Sequence, residues 1–330
     1  MPDTTPDKLY PELKLLRLTI EMSLQKNGFQ NNYLGSAWRG ILGWELKKLL
    51  CPYPRSPECP ACILRENCPY YVLFEKKEDL PGIYDSPRGY ILYAPKSAED
   101  DFLILEITLL GYCTKYMPAV LKALARAQDK GLGRERIGFS IVSISEITPM
   151  RTYRFDIEGE ILSQIRGPFP LKEWLACTVD SDSRFTIRFP TPLRLRQNGK
   201  YVADLKLSFM LATLAKRLEA VSRVFNGSKA LGKKKWLELN SQFQRLDHLP
   251  AVSQEELSQK PGISKKIKWD DYSRFSNRQK RKVPMGGLVG ECTFVSDLPG
   301  LGKWLKCAEL LHVGKGAAMG LGRIERREDG

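Results

Sequence analysis

The chain has 330 residues, with 52 Lys and Arg against 38 Asp and Glu, a formal net charge of +14. At 42% hydrophobic and 27% charged it has the make-up of a folded globular chain, which excludes a mostly disordered or collagen-like protein. No apolar run approaches the roughly 18–20 residues of a membrane helix, and the longest, 102–113, is broken by Glu106. The opening MPDTTPDK lacks the basic-then-apolar pattern of a secretory leader, so a cytoplasmic setting is expected. The length predicts about two domains. The charge points to a polyanionic partner, most simply nucleic acid, with a merely basic chain as the plain alternative.

Residues 1–7 read as an unstructured tail. Residues 13–24, LKLLRLTIEMSL, are apolar with partial alternation and predict a strand. The polar loop QKNGFQNNYLG follows. Ser36 predicts the N-cap of a helix over 37–50. Trp38, Leu42, Leu46 and Leu49 recur at helical spacing and predict its buried face. A neighbouring stripe holds Arg39, Gly40, Gly43, Trp44 and Lys47. Glycine in a helix costs about 1 kcal/mol against alanine. Two of them predict close approach, either of another element or of a ligand backbone.

A compact Pro/Cys knuckle occupies 51–68. Strands are predicted over 89–94, 102–110 and 139–147, and a helix over 115–130. The first half thus runs strand, helix, strand, strand, helix, strand, which is the split βαβ order. The second half begins near Arg151. RFTIRFPTPLRLR, 184–196, alternates basic and apolar residues and predicts a strand broken by its prolines. Helices are predicted over 205–225, 234–246 and 298–311. Residues 263–275 and 283–295 predict a long hairpin. A glycine-rich loop, 314–322, leads to a short strand, 323–327. The expected fold is α+β: tandem ferredoxin-like (RRM-like) domains with a Cys-rich knuckle insertion and a C-terminal glycine-rich loop. The expected domains are 1–150, with the knuckle, and 151–330, with the hairpin and the loop.

GKGAAMGLG, 314–322, is the strongest local signal. Gly314, Gly316, Gly320 and Gly322 let backbone N–H groups crowd against a phosphate-rich ligand. Lys315 and Arg323 add charge. No Lys-Ser/Thr pair closes the loop, so it is not a Walker loop, and it lacks a dinucleotide-binding context. The plain alternative is a tight helix-to-strand connection.

Residues 263–282 hold eight basic side chains, Lys265, Lys266, Lys268, Arg274, Arg278, Lys280, Arg281 and Lys282, against Asp270 and Asp271, a net +6. Trp269, Tyr272 and Phe275 are interleaved. Cations neutralise phosphates and aromatic faces stack on bases, so this segment predicts a nucleic-acid surface. A solvated hairpin with inward-packed rings is the alternative.

Four of the eight cysteines, Cys51, Cys59, Cys62 and Cys68, fall in the pattern C-x7-C-x2-C-x5-C. The two-residue spacing suits a metal knuckle, and four thiolates would close a tetrahedral, structural site, zinc ahead of an iron–sulfur cluster. Reduced thiols or a local disulfide are the other readings. The chain has two histidines, His248 and His312, which disfavours a His-rich hydrolytic metal site. His312 stands two residues before the glycine-rich loop. It reads either as a general acid or base beside a bound phosphate or as a packed side chain at a helix end.

Three stretches resemble the CRISPR-associated endoribonucleases that process precursor CRISPR RNA, the Cas6-like branch of the repeat-associated mysterious protein (RAMP) superfamily. They are YLGSAWRGILGWELKKLLC running on to CPYYVLFE, RFSNRQKRKVPMGGLVGECTF, and LLHVGKGAAMGLGRIE. The resemblance implies a tandem ferredoxin-like fold whose glycine-rich loop binds RNA. It also implies cleavage of CRISPR repeat RNA with no catalytic cofactor. In that reaction the 2′-OH attacks the adjacent phosphate, leaving a 2′,3′-cyclic phosphate and a 5′-OH. The implied partners are repeat RNA, the mature crRNA and a CRISPR effector complex, with no membrane. Many relatives carry a catalytic histidine on or just after the first helix; here none precedes His248, and Trp44 stands in its place. Tyr33, Arg39, Lys47 and His312 are the substitute candidates. Tyr33 or Lys47 would orient the 2′-OH or the leaving oxygen, Arg39 would stabilise phosphate charge and His312 would transfer a proton. Two other functions stand beside this one: a non-cleaving crRNA-binding subunit of an effector complex, and a metal-cluster redox or scaffold protein.

Overall fold

The structure is a computed structural model that describes residues 4–25, 33–54, 58–78, 80–81, 86–95, 101–133, 136–156, 161–178, 184–258, 260–276 and 280–327. Most of the loop expected at 25–35, and Arg278 of the basic segment, lie outside the described residues. The chain divides into two compact units, one of Glu12–Pro170 with Ala220–Gly227, the other of Met1–Pro11, Leu171–Glu219 and Ser228–Gly330.

The first unit is built from β1 (Lys14–Leu24), α1 (Gly35–Leu50), β2 (Tyr90–Tyr93), β3 (Phe102–Leu110), α2 (Met117–Ala127), β4 (Phe139–Ile147), β5 (Thr152–Asp156) and the two-residue β6 (Phe169–Pro170). The sheet order is β2-β3-β1-β4-β5, with β6 also on β1. β1 is antiparallel to both β3 and β4, and β2 to β3. That is the split βαβ arrangement: each helix carries the chain across one strand to a parallel partner. The apolar positions of β1 explain its central place, with Leu15, Leu18, Ile20 and Met22 all buried.

α1 buries Trp38, Leu42 and Leu46, as its spacing predicts; Leu49 is only half-buried. Trp38 meets Phe139 of β4 edge-on, with ring centroids 5.2 Å apart. Ser36 does not cap the helix. The Trp38 N–H donates to Leu34 O at 2.9 Å, so the ladder starts two residues early and Leu34 is the N-cap. The predicted helix over 115–130 is shorter, with 3₁₀ turns at Gly111–Tyr116 and Gln128–Lys130 on either side of α2. Pro118 sets the start, because its missing N–H is free of cost only in a first helical turn.

The second unit contains β7 (Arg184–Leu193), α3 (Leu207–Asn226, whose last turns belong to the first unit), α4 (Lys233–Gln244), β8 (Ile263–Asp270), β9 (Ser273–Ser276), β10 (Arg281–Pro284), β11 (Gly287–Val295), α5 (Leu301–Leu311) and β12 (Glu325–Arg327). Its sheet order, β8-β11-β7-β12, repeats that of the first unit. Pro190 and Pro192 do not break β7. They fall where the ladder with β11 shifts register between Leu288 and Gly290, so no ladder bond is asked of them. β9 and β10 pair as a separate ribbon beyond the β8–β11 hairpin. No helix among the described residues is long and apolar enough to cross a membrane.

Candidate functional site

In the first unit, Arg39, Gly43 and Lys47 follow one another four residues apart on α1 and so share one face. A five-residue π-helical turn, Tyr71–Glu75, packs on that face, closed by Lys76 N–H donating to Tyr71 O at 2.7 Å. Such turns are rare and recur at functional sites. The Phe74 ring occupies the space over Gly43, and the Arg39 guanidinium lies 5.7 Å from its centroid. Tyr70 stacks on Phe74 at 5.7 Å with 8° between planes, and Lys47 Nζ is 5.5 Å from the Tyr70 centroid. The glycine at 43 therefore serves the approach of another element, one of the two readings its position allowed.

The Tyr70 hydroxyl donates to Glu75 Oε1 at 3.1 Å. Burial, then the carboxylate beside it, push the phenol well above its ordinary value, so it stays a donor. Tyr90 is buried; desolvation raises its phenol while Arg39 beside it pulls the other way. Tyr33, half-buried, stands two residues ahead of α1. Trp44 is 51% exposed, with Lys48 Nζ 5.0 Å from its ring centroid.

The knuckle borders this stripe. The Cys59 thiol is raised by burial first, lowered by Lys47, and raised by Glu75, Cys51 and Cys68. All eight cysteines are free, so the local-disulfide reading does not hold. Among the described residues no group of three or more His, Cys, Asp or Glu is placed to hold a metal ion. Within the single CxxC, a 3₁₀ turn has Cys62 N–H donating to Cys59 O at 3.2 Å.

In the second unit, the basic segment is a ribbon rooted by Arg194. This buried guanidinium donates from Nε to Gly286 O at 3.1 Å and from Nη2 to Pro284 O at 2.9 Å, with its carbon 4.5 Å from the Tyr201 ring centroid. Lys266, Lys268, Lys280, Arg281 and Lys282 are exposed, and Trp269 is 39% exposed with its indole N–H on Asp271. Lys265 is tied to Asp204 at 3.2 Å, and Arg274 lies half-buried on β9.

The glycine-rich loop is braced against the end of β7. Gly314, Gly316, Gly320 and Gly322 all have positive φ. The N–H groups of Lys315, Met319, Gly320, Leu321 and Gly322 are all donated within the protein, Lys315 to Arg194 O and Gly322 to Pro192 O, both at 3.0 Å. Those amides do not form an open phosphate cradle. Arg323 is also engaged, with Nη1 on Glu309 O at 3.3 Å and Nε 3.7 Å from Glu325. Lys315 is half-buried. His312 is 2% exposed and has φ +56°; its Nδ1 is 3.3 Å from Leu321 O. His248 ends the short 3₁₀ turn Arg245–His248 and is exposed.

The sequence reading missed Tyr70, Glu75 and Arg194. A Tyr and a Glu five apart belong to neither the helical nor the strand period. Arg194 reads as one more base in an alternating strand.

Two split βαβ units in tandem, the second carrying the ribbon and the glycine-rich loop, define a protein of the tandem ferredoxin-like class. Residues 187–324 match the model of the CRISPR-associated endoribonuclease Cas6 family, and residues 13–166 match an N-terminal domain family, AF_1859_N. The Cas6 match covers the second unit's sheet, ribbon and glycine-rich loop, and the chain is similar to that family over those residues. Among solved structures it resembles Thermus thermophilus Cas6 (TTHB231), at 15% identity over 96% of this chain and 99% of that one, with a TM-score of 0.55. The product complex of the same Cas6 gives 15% identity, 95% and 99% coverage, and a TM-score of 0.55. These likenesses concern the fold. No curated protein matches the chain by sequence.

Proposed function

We propose that this chain binds CRISPR repeat RNA and cuts it without a catalytic metal, leaving 2′,3′-cyclic phosphate and 5′-OH ends. The reading is supported by the family match over 187–324 and, in the ferredoxin-like unit before it, by one arrangement: two cations, Arg39 and Lys47, one turn to either side of Gly43 on α1. The reaction needs a proton acceptor for the 2′-OH, a donor for the departing O5′ and a cation for the charge that develops on the phosphorane. Arg39 fits the last role, since a guanidinium meets two phosphoryl oxygens at once. Lys47 fits the donor role and Tyr33 orients the 2′-OH.

The exposed cations of the ribbon, with Trp269, grip the RNA through its phosphates and one base. Lys315 adds a contact from the glycine-rich loop. His312, almost fully buried, positions that loop and does not reach the substrate.

The test is a denaturing gel of the purified chain with end-labelled repeat RNA in EDTA, beside RNAs with a single 2′-deoxy substitution at each candidate position. One cut in EDTA, abolished by one substitution, is expected. A cut that survives every substitution, or that needs an added divalent ion, overturns the mechanism. The absence of histidine from residues 12–170 favours a second reading, a crRNA-binding subunit that does not cut. It predicts tight binding and no product on the same gel.

A further inference from the structure

The cleavage reaction proposed for this chain leaves one role unfilled, that of the proton acceptor, and a residue assigned to that role rests on the cleavage reading. The acidic side chains of the first unit that sit near its strands and α1 are mostly committed to the fold. Glu45 is buried and paired with Lys48 at 3.2 Å and Arg126 at 3.5 Å. Glu21 pairs with Arg154 at 2.8 Å, and Glu106 with Arg17 at 3.2 Å. Glu146 is buried and accepts the N–H groups of Arg166 and Gly167 at 2.9 and 2.6 Å.

Glu75 differs in where it lies. It ends the π-helical turn packed on the Arg39–Gly43–Lys47 face, it is half-buried, and it accepts the Tyr70 hydroxyl. The π geometry makes this bond: with five residues closing the turn, the side chains of residues 70 and 75 meet. Tyr70 is in turn fixed by its stack on Phe74 and lies under Lys47. The carboxylate is thus held by the Tyr70 hydroxyl, on the turn packed against the helix face that carries Arg39 and Lys47.

We propose that Glu75 is the catalytic base that takes the 2′-hydroxyl proton, with Tyr70 as the positioning residue that holds its carboxylate. In the step, the 2′-O–H bond breaks and its proton passes to Glu75. The 2′ oxygen bonds to phosphorus, the P–O5′ bond breaks, and O5′ takes a proton from the Lys47 ammonium. Glu75 ends neutral and Lys47 ends neutral; exchange of one proton each with water restores both. Arg39 balances the charge of the phosphorane and is unchanged.

The experiment compares the full chain with Glu75→Gln and Glu75→Asp in single-turnover cleavage of repeat RNA in EDTA, from acid to neutral pH. Binding is measured in parallel with the 2′-deoxy RNA that cannot be cut. Glu75→Gln is expected to cut about 10²–10⁴-fold more slowly at neutral pH, with RNA affinity kept. The rise of rate with pH on the acid side should disappear in Glu75→Gln and persist in Glu75→Asp, which no structural role would produce. Tyr70→Phe keeps the ring over Lys47 and removes only the hydroxyl. It is expected to lower kcat about tenfold with KM unchanged, and it carries the test if Glu75→Gln folds poorly. Full-speed cutting by Glu75→Gln with the acid limb intact overturns this assignment alone. A parent chain that binds repeat RNA and never cuts overturns the cleavage reading, and the assignment with it.

Discussion

The ring of Phe74 closes on the bare Cα of Gly43, where a Cβ would stand 3.0 Å from two of the ring carbons. This contact seats the π-helical turn on α1. Gly43→Ala gains about 1 kcal/mol of helix propensity and loses a comparable amount to crowding. The melting temperature is therefore expected to move little. Cleavage is expected to fall about 10²-fold, because Phe74 must shift and Tyr70 and Glu75 shift with it. Paired thermal melts and single-turnover rates check this; equal losses in both, or in neither, would remove the contact from the site.

Most strands and helices of both units are legible in the sequence, because most carry their own period; the strand Thr152–Asp156 and the helix Leu171–Ala176 are too short to show one. LKLLRLTIEMSL gives β1, and Trp38, Leu42 and Leu46 give the buried face of α1. The prolines of β7 mislead, since local chemistry does not show that a register shift accommodates them. Of the candidate site, the shared face of Arg39 and Lys47 follows from helical spacing, and their candidacy from the family resemblance. Glu75 does not, because its partners are brought by a turn that departs from the 3.6-residue repeat. The glycine-rich loop is found by composition; its glycines are required by positive φ and by the approach of Val313, where a Cβ at Gly322 would overlap the Val313 carbonyl oxygen.

The ribbon beyond β8 and β11 carries its cations outward, with Lys280 just before β10 and Arg281 and Lys282 opening it. If each meets one phosphate of single-stranded or duplex repeat RNA, replacing all three with alanine should lower the slope of log K against log salt by about 2–3. Filter binding at several salt concentrations measures it. An unchanged slope would place the phosphate contacts elsewhere.

His312 holds φ +56° with ψ 160° at the C-terminus of α5, a conformation that suits glycine and strains other residues by about 1–3 kcal/mol. Its buried ring and the Nδ1 contact to Leu321 O offset that strain. His312→Ala keeps the strain and loses the packing, so stability should fall by about 2–3 kcal/mol. His312→Gly relieves the strain and should recover about 1 kcal/mol of that loss. In both, the folded fraction should cut RNA at the parent rate with the parent pH profile. A selective loss of cleavage in a stably folded variant would return His312 to the chemistry.

The thiols separate into two groups by burial. Burial pushes Cys113 and Cys292 up to about 12, and Cys307 higher still, and all three are buried. Only the thiolate attacks a disulfide reagent, so a raised thiol reacts slowly at pH 8 even where the reagent can reach it. Cys51, Cys59, Cys62 and Cys68 are half-buried and Cys177 is exposed. Titration of the native, reduced chain should therefore count five ready thiols, and three more after denaturation. Cys59 should be the slowest of the five, since desolvation outweighs the pull of Lys47 on its proton. A metal held by the knuckle would reverse this pattern: one ready thiol, and four more on adding a strong chelator with the chain still folded. That outcome would show that the four cysteines close on an ion.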